Sequence, residues 1–185
     1  MPVPAPSEPP SERLWDWSLR TLDDADARRA LLALQDGHGL NGSLMLWAAW
    51  CERAGLSLGD EDARRIVASV HEVDRYVVRR LREVRRYVGS PRPGYDVGAL
   101  AGLRADAYRT ELRAERLILH RLEAETLAVC VLDGGEAVGA RLAALCVRAL
   151  ETPVLMADDL GAAGPQALFA ALLAHAPPLA KDEPE

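Results

Sequence analysis

Apolar residues recur along this chain at steps of three and four, the period of an amphipathic helix, in one block after another. From Glu61 to Val88 the positions Ile66, Val70, Val73, Val77, Leu81, Val84 and Val88 form one continuous stripe, which the run Gly89 to Gly94 then breaks. A second long block, Val97 to Leu132, carries Leu100, Leu103, Ala107, Ala114, Leu117, Ile118 and Leu122 on its inward side. Shorter helices are predicted from near Ser11 to Leu22, Asp23 to Gln35, Leu44 to Ala54, Glu136 to Leu150 and Pro165 to His175, with Asp23 as an N-cap and Gly55 as a stop. Only Pro153 to Met156 offers even a weak strand pattern. The pattern predicts an all-α fold of five to seven helices, a small bundle built on two long antiparallel helices that turn at Pro91 to Gly94, with shorter N- and C-terminal helices around them.

The ends read differently. Residues 1–10 hold five prolines and form an expected disordered Pro-rich arm, residues 11–176 a single helical domain, and residues 177–185 a disordered tail. The first residues lack the positive-then-apolar order of a secretory signal, and the strongly apolar run Leu44 to Cys51 is far short of the roughly 20 residues that cross a bilayer. The expectation is a cytoplasmic protein with no transmembrane segment.

Composition adds two points. The chain has 185 residues and a net charge of −6, yet Lys181 is the only lysine, so nearly all its positive charge is arginine. Cys51, Cys130 and Cys146 are odd in number, show no CxxC spacing and sit among apolar neighbours, which reads as free buried thiols rather than a disulfide or zinc site.

Three ordered strings near the start, Leu14-Trp15-Asp16-Trp17-Ser18-Leu19, then Leu34-Gln35-Asp36-Gly37-His38-Gly39-Leu40-Asn41, then Leu44-Met45-Leu46-Trp47, are followed by two more. These are the arginine-rich Val77 to Arg86 and the string Glu111-Leu112-Arg113-Ala114-Glu115-Arg116-Leu117. Together they resemble a proteobacterial family of small helical proteins, the domain of unknown function 2390. The resemblance covers about residues 14–123 and leaves 124–176 as a C-terminal helical extension. It implies an all-helical fold and a bacterial cytoplasmic setting, and it implies no mechanism.

Two features carry candidate chemistry. In the turn Gln35 to Asn41, Asp36 and His38 are the residue types of an acid/base pair, and Gln35 and Asn41 add polar binding groups. The same residues also suit plain chain geometry, with Gly37 or Gly39 in a left-handed helix end and Asn41 or Ser43 capping the next helix. The second feature is an arginine stripe. At 100° per residue, Arg75, Arg79, Arg82 and Arg86 lie within about 60° of one another. Seven arginines stand against one glutamate from Arg75 to Arg92. Such a face can dock an acidic protein, contact nucleic acid or anionic lipid, or pair with Glu111 and Glu115 of the next long helix.

Other templates are empty. His71-Glu72-Val73-Asp74-Arg75 begins like a zincin motif but has Arg75 where the second histidine belongs, so no metal is expected. Neither a Walker A loop nor GxGxxG is present, and no cofactor is expected. Trp15, Trp17, Trp47 and Trp50 read as core. The sequence favours a helical interaction or regulatory protein that binds another protein through the stripe or the 35–41 turn. A small enzyme using Asp36 and His38, or a nonspecific nucleic-acid or anionic-lipid binder, stands as the alternative.

Overall fold

The computed structural model describes residues 12–132, 138–149 and 164–180. They form α1 (Leu14–Asp23), α2 (Ala25–His38), α3 (Gly42–Arg53), β1 (Leu56–Ser57), α4 (Asp60–Val73), a π-helical turn (Asp74–Val78), α5 (Arg79–Tyr87), α6 (Val97–Leu127), β2 (Val131–Leu132), α7 (Val138–Ala149) and α8 (Pro165–His175). The fold is all-α. Its one departure among the described residues is a two-residue antiparallel ladder, Leu56 opposite Leu132 and Ser57 opposite Val131. Strands that short have no period to read, and β2 takes residues that helical spacing had given to the end of α6. The proposed strand at Pro153 to Met156 and the Pro-rich arm lie outside the described residues.

The core is built around α3, which is buried from Gly42 to Cys51. A helix apolar on all sides needs neighbours on all sides, and α1, α2, α6, α7 and α8 supply them. Trp17, Trp47 and Trp50 are fully buried. Each indole N–H finds an acceptor: Trp17 donates to the Pro177 carbonyl at 3.0 Å, Trp47 to Thr126 Oγ1 at 2.8 Å and Trp50 to the Glu12 carbonyl at 3.2 Å. Trp15 is half-buried under the Arg116 guanidinium, 5.2 Å from its ring centre. Glu52 accepts from the Gly139 N–H at 2.6 Å, and a Cβ on Gly139 would meet the Ala48 carbonyl at 2.7 Å. Only glycine lets α7 cross α3 that closely.

The C-terminal helices share this core, since one hydrophobic cluster runs from Leu14 to Ala176. Pro177 to Ala180, expected as the start of a tail, are tied back to the N-terminal side. The Arg20 guanidinium donates to the Pro178 carbonyl at 2.8 Å and to both Glu12 oxygens at 2.8 and 2.5 Å, and Ala180 N–H donates to Glu12 at 2.9 Å. The Arg20 bond holds the Glu12 carboxyl below the usual carboxylate range.

Helix ends also differ from the sequence pattern. Asp24, not Asp23, caps α2, accepting from the N–H groups of Asp26 and Ala27 at 2.8 and 2.9 Å. Residues 36–38 belong to α2 rather than to a turn, and Gly39, at φ 66°, ends the helix in the left-handed region. The Gly39 and Leu40 N–H groups return to the carbonyls of Gln35 and Leu34, both at 3.1 Å. Asn41 then caps α3 through Leu44 N–H at 3.1 Å.

The largest correction concerns the stripe from Glu61 to Val88. It does not run through on one face. In the π-turn the Arg79 N–H reaches back five residues to the Asp74 carbonyl, so one extra residue enters the spiral and every later side chain is rotated. Val73 and Val77, expected inward, are 37% and 40% exposed, while Asp74 and Val78 take the inward positions at 4% and 2%. Val84 is also exposed. Leu103 and Leu117 of α6 face solvent as well, since no helix among the described residues covers them.

Candidate functional site

The rotation at the π-turn decides where the arginines go. Ion pairs tie α4 and α5 to α6 in sequence: Arg65 to Glu125 at 2.9 Å, Arg82 to Glu115 at 2.8 Å and to Glu111 at 2.9 Å, and Arg85 to Glu111 at 2.6 Å. Glu111 is almost fully buried. Burial by itself disfavours its charge, but the hydrogen bonds from Arg85 and Arg82 outweigh that, and the carboxyl stays below its ordinary range. Glu115 has the opposite balance. Its burial outweighs the attraction of Arg82, the neighbouring Glu111 charge adds to the effect, and its carboxyl is pushed up.

The remaining stripe residues turn to the other side. Arg79 donates to the buried Asp74 carboxylate at 2.8 Å, and Arg86 pairs with Asp36 at the end of α2. Arg75 is exposed, its guanidinium 5.5 Å from the ring centre of Tyr76. The two sequence-predicted features thus meet: a polar cleft of about 160 Å³ is lined by Gln35, Asn41, Asp74, Arg79, Arg82 and Arg86. Its arginines all have carboxylate partners within the fold.

Asp36 and His38 are not brought together. Two residues apart on a helix, they point about 200° away from each other. Asp36 is exposed and engaged with Arg86, while His38 is buried in the last turn of α2. An acid/base pair needs both groups on one side. Elsewhere, Asp24, Asp26 and His175 offer ligand atoms within 4.8 Å of one another on the surface, and Asp24 already serves as the α2 cap. All three cysteines are free, with burial pushing the Cys146 thiol up to about 12 and the Cys51 thiol well above its usual value.

A different surface is open. At the far end of the α5–α6 pair a groove of about 650 Å³ lies between the helices and their connection, walled by Val88, Pro91, Val97, Leu100 and Tyr108 with Arg85 and Arg104 at its edge. Its volume falls in the range of about 300–1,000 Å³ typical of binding pockets. Val97 is 74% exposed and Tyr108 of the same groove is exposed, as are Tyr87 at the end of α5 and Tyr95 on the connection. Arg85 stacks over Tyr108 at 5.7 Å and Arg92 over Tyr87 at 3.8 Å. Periodicity assigned Leu100 and Leu103 to a core and so passed over this groove. The available signal was a mismatch: the first turns of α6 carry Val97, Leu100, Ala101 and Leu103, while α5, with five arginines in nine residues, has only Leu81 and Val84 as aliphatic residues to cover them.

Residues 13–122 match the family described as protein of unknown function (DUF2390). The chain belongs to this family. The matched span runs from the N-cap of α1 to near the end of α6, so it includes the tryptophans, the π-turn, the paired arginines and the groove; α7 and α8 lie beyond it. No curated protein and no solved structure matches the chain. No helix among the described residues is long and apolar enough to cross a membrane.

Proposed function

We propose that this chain is a helical interaction protein of the cytoplasm that binds another protein through the free end of its α5–α6 hairpin. The hairpin takes the two long helices as antiparallel, supported by ion pairs in which positions rise along one helix, from 65 to 85, as they fall along the other, from 125 to 111. Three free cysteines support a reducing compartment. The observation that carries the docking role is the groove itself, mostly apolar, open and lined by the exposed Val97 and Tyr108. Soluble proteins keep such patches small unless something covers them, and tyrosine and arginine are the side chains that dominate interface energetics.

In this proposal the predicted binding residues Gln35, Asp36, Asn41, Arg79, Arg82 and Arg86 act as a staple. They hold the hairpin to the body, with Arg86 and Asp36 as the outermost clasp and His38 anchoring the end of α2. Arg75 alone of the stripe remains on the surface without a carboxylate partner among the described residues.

The test is affinity capture from the source cell with three forms of the chain: wild type, Val97→Asp in the groove, and Leu32→Glu at an exposed apolar position on α2. A partner retained by wild type and Leu32→Glu but lost by Val97→Asp is the expected result. Capture unaffected by Val97→Asp, or no protein partner at all, refutes the assignment.

A further inference from the structure

We infer that the groove takes an acidic amphipathic helix of the partner, apolar side chains inward and carboxylates toward the arginines; this deepens the proposed docking role and rests on it. Between residues 79 and 113 the chain has nine arginines against four carboxylates, although the whole chain is acidic at −6. Most of those arginines are already neutralised. Arg79, Arg80, Arg82, Arg85, Arg86 and Arg109 each have a carboxylate within the fold. Arg92, Arg104 and Arg113 have none among the described residues.

Arg104 is the one that borders the groove. Its Nε lies 3.6 Å from where a Cβ on Gly89 would stand, just past the last turn of α5. Arg92 stands on the same connection, stacked on Tyr87 and donating to the Tyr87 carbonyl at 2.9 Å, which leaves its remaining donors for a ligand. An apolar trough lined in part by Arg104, with Arg92 on the adjoining connection, is complementary to a helix that has apolar residues at i, i+3, i+4 and i+7 and acids beside them.

Charge decides against the other occupants. A second copy packed symmetrically would bring this positive end against itself. A nucleic acid or lipid surface would read a field of free cations, whereas Arg79, Arg82 and Arg86 of the stripe are paired with internal carboxylates, Arg75 is not part of the groove lining, and the groove wall is mostly apolar.

Fluorescent peptides titrated into the full-length chain and followed by anisotropy separate these possibilities. One peptide carries Leu at i, i+3, i+4 and i+7 with Glu on the remaining face; a second replaces Glu by Lys; vesicles containing phosphatidylglycerol serve as the anionic-surface probe. The acidic peptide is expected to bind, the Lys peptide not, and Arg104→Glu to weaken the acidic peptide by about tenfold or more. Arg104 and Val97 are exposed, and an acid at the first turn of α6 suits the helix dipole, so Arg104→Glu and Val97→Asp should keep the wild-type circular dichroism. Equal binding of both peptides, lost in Val97→Asp, overturns the acidic partner but leaves the docking role standing. If neither peptide binds, the acidic helix is overturned and the capture experiment alone decides the docking role. Vesicle binding lost in Arg104→Glu, without peptide binding, overturns both in favour of a membrane surface.

Discussion

Replacing Glu111 by glutamine keeps the shape of the side chain and removes the one charge that two guanidiniums share. Glu111 accepts from Arg82 Nε at 2.9 Å and from Arg85 at 2.6 and 3.3 Å. A glutamine offers a single carbonyl oxygen and turns an NH₂ donor toward a guanidinium, so at least one of these bonds is lost. Both cations then have only Glu115 between them. Breaking a buried ion network by removing one member costs about 3–5 kcal/mol, and because Arg85 is partly open to water the lower end, about 3 kcal/mol, is expected here. A chain of this size shifts its Tm by about 2–4 °C per kcal/mol, which gives a drop of about 6–12 °C. The pH dependence follows from the direction of the shift. The folded carboxyl lies below its ordinary value, so its contribution is complete above the unfolded value of about 4.3 and is lost as pH falls through the folded one. Thermal melts at neutral pH and urea melts at neutral and acidic pH should therefore show the widest gap between wild type and Glu111→Gln at neutral pH, closing below about pH 4. A Tm within about 2 °C of wild type at neutral pH would refute the reasoning.

Glu115→Gln should behave in the opposite way, neutral or stabilising at neutral pH, because burial already disfavours the charged Glu115 in the fold. The gain should fade in urea melts as pH falls and wild-type Glu115 takes up its proton; a loss of more than about 1 kcal/mol at neutral pH contradicts it. Gly37 and Gly39 make a matched pair, since a Cβ meets nothing within 4 Å at either but only Gly39 has a positive φ. Gly37→Ala should raise stability by about 0.5–1 kcal/mol and Gly39→Ala lower it by about 1–2 kcal/mol, and equal effects in urea melts would show that the left-handed end is not what matters. Alkylation of the native protein at mildly alkaline pH, read by mass spectrometry, should label Cys130 before Cys51 or Cys146, because burial pushes all three thiols up but only Cys130 is partly open to solvent. Rapid native labelling of Cys146 would contradict its placement.

Much of the fold was legible in the chain because helices are local. The steps of three and four located the helices, the tryptophans announced the core, and Asn41 and Pro165 marked helix starts where the structure has them. The helical spacing raised the pairing of the arginine stripe with Glu111 and Glu115 as one of its readings, and one stripe member, Arg82, makes both ion pairs, while Arg79 and Arg86 pair with Asp74 and Asp36 instead. Asp36 and His38 drew attention by residue type alone. Type carries no direction, and the continuation of α2 through His38 sends the two side chains apart.

The sequence by itself therefore determined an all-α chain, its helices to within a few residues, and a central helix apolar on every side, since each of these depends on neighbours within a turn or two. Periodicity placed Ile66, Val70, Ala107, Ala114, Ile118 and Leu122 inward correctly, and only the tertiary structure decided which residues of α4 and the π-helical stretch face inward after Val70. One extra residue in the π-turn at Asp74–Val78 exchanges Val73 and Val77 for Asp74 and Val78, and no local period encodes that, because the π-turn goes together with burial of Asp74 and its pairing with Arg79. The same rotation aims Arg82 and Arg85 at α6, and the connection between α5 and α6 leaves an apolar groove at the end of the pair. Both depend on contacts between residues far apart in the chain, which a one-dimensional pattern cannot register.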